Sequence, residues 1–421
     1  MSWAGFFEFR QHLRQSLWVV PLLGATAGVF LSQTVPGLEQ RLDLTADWSY
    51  SAATASSVLA AIAGAMVGLI GLVVTIGVLV VQMATGTLSA RFMRLWYRDR
   101  VQKLVLAAFT ATFTFSYALL RRVEPDSVPN VGVTAAGVAV TIDLILLLVY
   151  VNRFVHMLRP VAVGAVMAKA GLDIVHKLGA QAPPASDGPD QGRANRAGAD
   201  APNAEPDLRV RTNRSGAIQA VNTDGIVKHA VSRGLVCVIP NAMGDFVTVG
   251  DVLFDVYGPA TERDSRRLRG MIALGNERTI DQDPAFALRI LVDIAIRALS
   301  PAVNDPTTAT QMINHIGALL NGLGSSVPAG HGVWRGPDGR VRLAVPTRSW
   351  EEYLQLGVCE VRQYGITSAQ TSRRLRAMLV DLQDRIPRPP PPPGAPHQRQ
   401  QGTPGPAGRP APPPPPQAPG P

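Results

Sequence analysis

Two cysteines in 421 residues leave no basis for a disulfide framework or a thiolate metal centre. Cys237 and Cys359 lie far apart, with no CxxC and no Cys/His spacing, and read as two reduced, buried thiols. Charge is also scarce, at 17% of the chain. No phosphate-binding loop, nucleophile elbow or HExxH is present. The expectation is therefore a protein with no enzymatic role, no cofactor and no bound metal. The charge that exists is unbalanced, +9 overall. Such an excess suits nucleic acid or anionic lipid equally well. What surrounds it has to decide between them.

What the chain has in quantity is long apolar sequence. Four stretches stand out, at about 17–35, 58–83, 104–120 and 131–152. Each is long enough to cross roughly 30 Å of hydrocarbon as a helix. The second, "VLAAIAGAMVGLIGLVVTIGVLVVQM", carries no charge, whereas a soluble core helix would show a polar stripe. The first has an alternative reading. Arg10 and Arg14 precede it, and Ala25-Thr26-Ala27 resembles a signal-peptide cleavage site.

Loop charge orients the bundle. Residues 84–103 hold Arg91, Arg94, Arg98, Arg100 and Lys103 against Asp99. Residues 36–57 hold Glu39, Asp43 and Asp47 against Arg41. The 121–130 loop is balanced, and Arg153, Arg159, Lys169 and Lys177 follow the last span. The positive-inside rule places the N-terminus, the middle loop and the C-terminal half in the cytoplasm. In "LSARFMRLWYRDR", Arg91, Arg94 and Arg98 recur at helical spacing beside Trp96. These four residues are expected to contact anionic lipid headgroups. Flanking spans make nucleic acid the weaker partner.

Within the spans, Gly64, Gly68 and Gly71 mark close helix packing. Asp143 lies near the middle of the fourth span with no lysine or arginine inside the others to pair with it. Its expected partners are the hydroxyls of Thr75, Thr110 and Thr114. Two roles stay open: a protonated, hydrogen-bonded carboxyl that holds the bundle, or an ion- or proton-binding group on a wet cavity.

Residues 1–160 thus read as a transmembrane domain of four helices, followed by a connecting helix at 161–179. Residues 180–207 and the proline runs from 387 onward cannot bury apolar area and read as disordered. The tail is a candidate weak docking segment for a partner. Between them lies a cytoplasmic α+β domain. Its β-branched runs at 208–260 suggest a small β-barrel or sandwich-like module. Residues 261–386 are read as helical, with a hairpin near 335–346. A lipoyl-type carrier is excluded, because Lys228 lacks the Met-Lys-Met setting.

The corner "RALSPAVNDPTTA" joins two helices. Asp283-Pro284 starts the first, Pro301 stops it, and Asn304 or Asp305 caps the second ahead of Pro306. A cap and salt-bridge network accounts for these residues. The competing reading is a cytoplasmic ligand site using Glu277, Arg278, Asp281, Asn304 and Asp305, with His315 as a further metal candidate. Ser349 and Glu352 form a capping box for helices across 350–386, interrupted at Gly357 and Gly365.

"SARFMRLWYRDR", "SGAIQAV", "GDFVTVGD" and above all "LGNERTIDQDPAFALRILVDIAIRALSPAVNDPTTA" resemble the predicted bacterial membrane proteins carrying domain of unknown function 2254. The resemblance spans about residues 10–385, apart from the 180–207 insert. It implies a bacterial inner-membrane protein with an N-terminal membrane region of four helices and a cytoplasmic domain, and it brings no catalytic residues. The reading that combines these features is a homo-oligomeric, channel-like or transport-associated protein with a cytoplasmic regulatory domain. The alternatives are a membrane-anchored sensor or scaffold and, third, a membrane enzyme.

Overall fold

The computed structural model describes residues 2–41, 49–87, 99–125, 127–157, 159–181, 205–326 and 331–386. Six helices come first: α1 (Trp3–Gln15), α2 (Val19–Arg41), α3 (Ala52–Thr87), α4 (Arg100–Leu120), α5 (Asn130–Met157) and α6 (Pro160–Gln181). The segments Ala52–Met83, Arg100–Leu120 and Asn130–Phe154 are long and apolar enough to cross a membrane. Trp3–Arg14 and Val19–Val35, bent by 70°, make a fourth candidate if they form one broken span. Asp99 caps α4, its carboxylate accepting from the Val101 amide at 2.8 Å. The expected headgroup residues Arg91, Arg94, Arg98 and Trp96 lie outside the described residues, as do 182–204 and the tail from 387.

Helices α2 and α4 meet backbone to backbone. A Cβ on Gly24 would stand 2.2 Å from the Ala107 carbonyl oxygen, and one on Gly28 would stand 2.3 Å from that of Ala111. Only hydrogen fits at this glycine-xxx-glycine spacing. Thr110 and Thr114 then reach across to the Pro21 and Ala25 carbonyls at 3.1 and 3.0 Å. By contrast, Gly64, Gly68 and Gly71 on α3 have nothing within 4 Å of an added Cβ. Among the described residues, nothing packs on them in the way expected from sequence.

The extramembrane region is α+β. Its strands are β1 (Leu208–Arg211), β2 (Gly216–Val221), β3 (Val236–Val238), β4 (Phe246–Val247), β5 (Val252–Tyr257), β6 (Ile272–Gly275), β7 (His331–Arg335) and β8 (Val341–Pro346). They form two sheets, ordered β1-β5-β3-β8-β7 and β4-β2-β6. All pairings are antiparallel except β3 with β8. Ile218, Leu253, Phe254, Ile272 and Leu343 share one core between them. No closed barrel forms among the described residues, where the expected barrel or sandwich-like module is instead two sheets on a shared core. The sheets also extend beyond 208–260. β6 at 272–275 and the β7–β8 hairpin complete them, because β8 pairs with β3 from more than 100 residues away.

Helices α7 (Thr223–Arg233) and α8 (Glu262–Arg269) accompany the sheets. A second core is helical: α9 (Pro284–Ala298), α10 (Pro306–Ser326), α11 (Trp350–Gly365) and α12 (Ala369–Arg385). α9 is apolar around most of its circumference and is buried accordingly. α6 belongs to this core through Val163, Met167, Ala168 and Val175. It is therefore more than a connector: the helix that follows α5 is a structural wall of the extramembrane region. Gly357 does not interrupt α11, whose backbone there packs on Ile316 and Leu320. Cys237 is buried but Cys359 is exposed, against the expectation of two buried thiols.

Candidate functional site: a polar seam in the membrane bundle

Among the buried residues of α4, six form one stripe: Gln102, Val105, Phe109, Thr112, Ser116 and Leu119. These positions step by three and four, so they lie one above another on one side of the helix. Three of the six are polar. α5 answers with Val133, Ala136, Asp143 and Tyr150, seven apart from Ala136 onward. Val133 and Ala136 pack with Phe115 and Leu119, while Tyr150 packs with Val105 and Phe109. This antiparallel register places Asp143 beside Thr112, whose side chain is its hydrogen-bond partner.

Asp143 is 2% exposed, and its Oδ2 has no hydrogen-bond partner. The Ser116 hydroxyl and the Gln102 Oε1 are likewise buried and unpartnered. Buried polar atoms ordinarily find partners, so three orphans on one seam are informative. Along α4 the polar positions span about 21 Å, at 1.5 Å per residue. The apolar gap at Val105 and Phe109 is flanked by Tyr150, whose hydroxyl donates to the Val73 carbonyl at 3.5 Å. A carboxyl with one satisfied and one free oxygen can take a proton, a water or a small cation.

The structure separates the other expected hydroxyls from Asp143. Thr110 and Thr114 face α2. Thr75 is exposed, and its hydroxyl donates to the Gly71 carbonyl of its own helix at 2.8 Å. Thr112, the partner actually used, and Ser116 were missed. An i, i+4 pair of small polar residues in an apolar run was the available signal.

The soluble candidates do not converge. Glu277, Arg278 and Asp281 lie before the N-terminus of α9, whereas Asn304 and Asp305 lie after its C-terminus. Fifteen helical residues separate the groups, a rise of about 22 Å. Arg278 binds Asp283 through Nε and Nη2 at 2.9 and 2.6 Å, with its guanidinium 5.5 Å from the Phe286 ring centre. Asp283 in turn caps α9, accepting from the Phe286 amide at 3.1 Å. Burial pushes this carboxyl up from its ordinary value, while the Arg278 guanidinium opposes the rise. Asp281 accepts from the Gln11 amide at 3.2 Å. Gln219 donates to the Glu277 carbonyl at 2.8 Å. At the other end, Asp305 caps α10, accepting from the Thr308 amide at 3.0 Å and its hydroxyl at 2.5 Å. These bonds hold the Asp305 carboxyl below its ordinary value. Asn304 takes the left-handed turn at φ 47°. His315 packs against α6 at Gly164, and burial lowers its pKa. No group of three or more metal-ligating side chains assembles among the described residues.

One cleft of about 490 Å³ opens between α6, α10 and α12. His176, Asn314, Asn321, Arg374, Asp381 and Arg385 give it a mixed polar wall over a Gly317–Gly322 floor.

Three membrane-crossing helices, or four with the bent pair, and an α+β extramembrane region define a polytopic membrane protein. The model of the family described as "Predicted membrane protein (DUF2254)" matches residues 14–381, and the chain belongs to that family. Uncharacterized proteins of Mycobacterium tuberculosis and Mycobacterium bovis are similar to it. Each is 29% identical over 371 residues, covering 84% of this chain and 69% of the relative. No solved structure matches.

Proposed function

We propose that this chain is a homo-oligomeric, channel-like or transport-associated protein that passes protons or small cations along the Asp143 seam. The observation that carries this is the buried Asp143 carboxyl with a free oxygen, in line with the unpartnered Ser116 and Gln102 groups. A charge at that depth costs roughly 2.5–3.5 kcal/mol on insertion scales. Such a cost is tolerated where the group has work to do or a proton to hold. In this reading four helices span a bacterial inner membrane, with α2 as the first span. Both termini and the α+β region face the cytoplasm, as the loop charges require. The α+β region regulates and catalyses no reaction, and the cleft beside α12 is its candidate ligand entrance. The Gly64–Gly68 face, with nothing within 4 Å of an added Cβ among the described residues, supports contact with a second copy.

Full-length protein in liposomes tests the seam. Wild-type protein should dissipate an imposed proton or monovalent-cation gradient. Asp143→Asn keeps the hydrogen bond but cannot ionise. It should assemble with unchanged size and melting temperature, yet lose the flux or its pH dependence. Unchanged flux in this variant would leave Asp143 a purely structural role. A second reading, a membrane-anchored sensor, draws on the cleft and on the continuity of α5 with the α6 wall. Absence of wild-type flux, together with saturable small-anion binding at Arg374 and Arg385, would favour it.

A further inference from the structure

Helix α1 has two unlike faces. One is docked. Trp3, Ala4 and Phe7 pack with Ala220 on β2 and Ala273 on β6. The Ala4 amide donates to the Gly270 carbonyl at 2.9 Å. Glu8 pairs with Arg214, and Gln11 bonds Asp281. Lys103, at the start of α4, donates to the Arg14 carbonyl, where a cation complements the end of the helix.

The opposite face is apolar and bare. Phe6 is 55% exposed, Phe9 52% and Leu13 37%. At 3.6 residues per turn these three fall in a sector of about 60°, roughly 180° from Ala4 and Gln11. Arg10 borders that sector, about 40° from Phe6, and Arg14 lies about 40° further round toward the docked face. Immediately beyond, Trp18 is 63% exposed at the elbow, and α2 departs at 70°. A span that runs near the bilayer normal therefore leaves α1 near the bilayer plane, at the depth where Trp and Arg side chains settle.

We propose that α1 is an in-plane anchor, with Phe6, Phe9 and Leu13 entering a leaflet of anionic lipid. Arg10 and Arg14 reach its headgroups. The same helix holds the β2–β6 sheet on its other face, so it seats the α+β region against the bilayer. Continuity with the apolar α2, the right-sized elbow and the nearby cations select lipid over a protein partner. The inference rests on α2 being a span and is independent of any flux through the seam.

Nitroxide labels on full-length protein in phosphatidylglycerol-containing liposomes test it. The background carries Cys359→Ser, since Cys237 is buried. Labels at Phe6→Cys, Phe9→Cys and Leu13→Cys should collide with oxygen severalfold more than with a water-soluble nickel chelate. A label at Val380→Cys, on the exposed side of α12, should show the reverse. Arg10→Cys removes no apolar contact, and if the phenylalanine variants fail to assemble its label should still read headgroup depth, with nickel-chelate access below that at Val380→Cys. Nickel-chelate access at Phe9→Cys equal to that at Val380→Cys overturns the proposal. So does shielding from both reagents, which would place a second copy of the chain on this face.

Discussion

His229 on α7 and Asp264 on α8 are both buried, with Nε2 and Oδ1 2.9 Å apart. Burial lowers the imidazole below its ordinary 6.5, although the Asp264 charge pulls the other way. Burial would raise Asp264, but the Thr261 hydroxyl and amide and the Arg233 guanidinium bring it down to about 2. Both groups bind fewer protons folded than unfolded. The sign is therefore common: stability is full above the unfolded values and is lost as pH falls. The His229 contribution is lost as pH falls below about 6.5, and the Asp264 contribution is lost between about 3.8 and 2. We expect the melting temperature of the detergent-solubilised chain to drop on acidification from neutral pH. His229→Gln should remove the upper step and leave the lower one. A wild-type melting temperature that holds constant from neutral pH well into the acid range would contradict this. Nearby Cys237, its thiol pushed up to about 12 by burial, is an inert core residue.

Elements differ in how their glycines are used. α2 lies on α4 so closely that Gly24 and Gly28 have no room for a methyl group. At Gly24 the obstructing atoms are all Ala107 backbone, which cannot swing aside. Gly24→Ala should therefore force the helices apart and destabilise the bundle by about 1–3 kcal/mol, the usual range for overpacking. It should also lengthen the Thr110 and Thr114 bonds to α2. Fluorescence-detected size exclusion after heating would show a lowered midpoint; an unchanged midpoint would mean that α2 does not pack as described. Caps were the element features most open to reading from sequence. Asp283, Asp305 and Ser349 each accept from an amide three residues ahead, because short side-chain acceptors before a helix serve a local geometry. The α2–α4 contact was not open in that way. Its spacing is as regular as that of Gly64 and Gly68, but spacing cannot say which neighbour a face meets.

At the scale of the molecule, the Gly64–Gly68 face is the clearest candidate for contact between copies. Among the described residues nothing lies within 4 Å of an added Cβ there. Gly64→Leu combined with Gly68→Leu should leave the fold of one copy intact. The oligomer seen by native mass spectrometry or light scattering in mild detergent should then fall to a smaller species. An oligomer of unchanged mass would assign this face to lipid. The helix α6 gives any rearrangement among spans a rigid route outward. It follows α5 after a two-residue break and packs into the core of α9 and α10.

Sequence alone determined that this is a membrane protein. Long uncharged runs have one comfortable solvent, and that conclusion needs no partner or contact. It also located the helix caps, the β7–β8 hairpin and the polarity of Asp143, since each depends on residues within a few positions of one another. Tertiary structure decided everything that depends on which faces meet. It split Glu277, Arg278 and Asp281 from Asn304 and Asp305 by the length of α9. It drew β8 across to β3, decided between a closed barrel and separate sheets in favour of two sheets, and made α6 a core helix. It turned Thr110 and Thr114 toward α2 and gave Asp143 to Thr112. The reason is rotational. A helix of uniform apolarity carries no mark of its inward side, so only packing chooses among its faces.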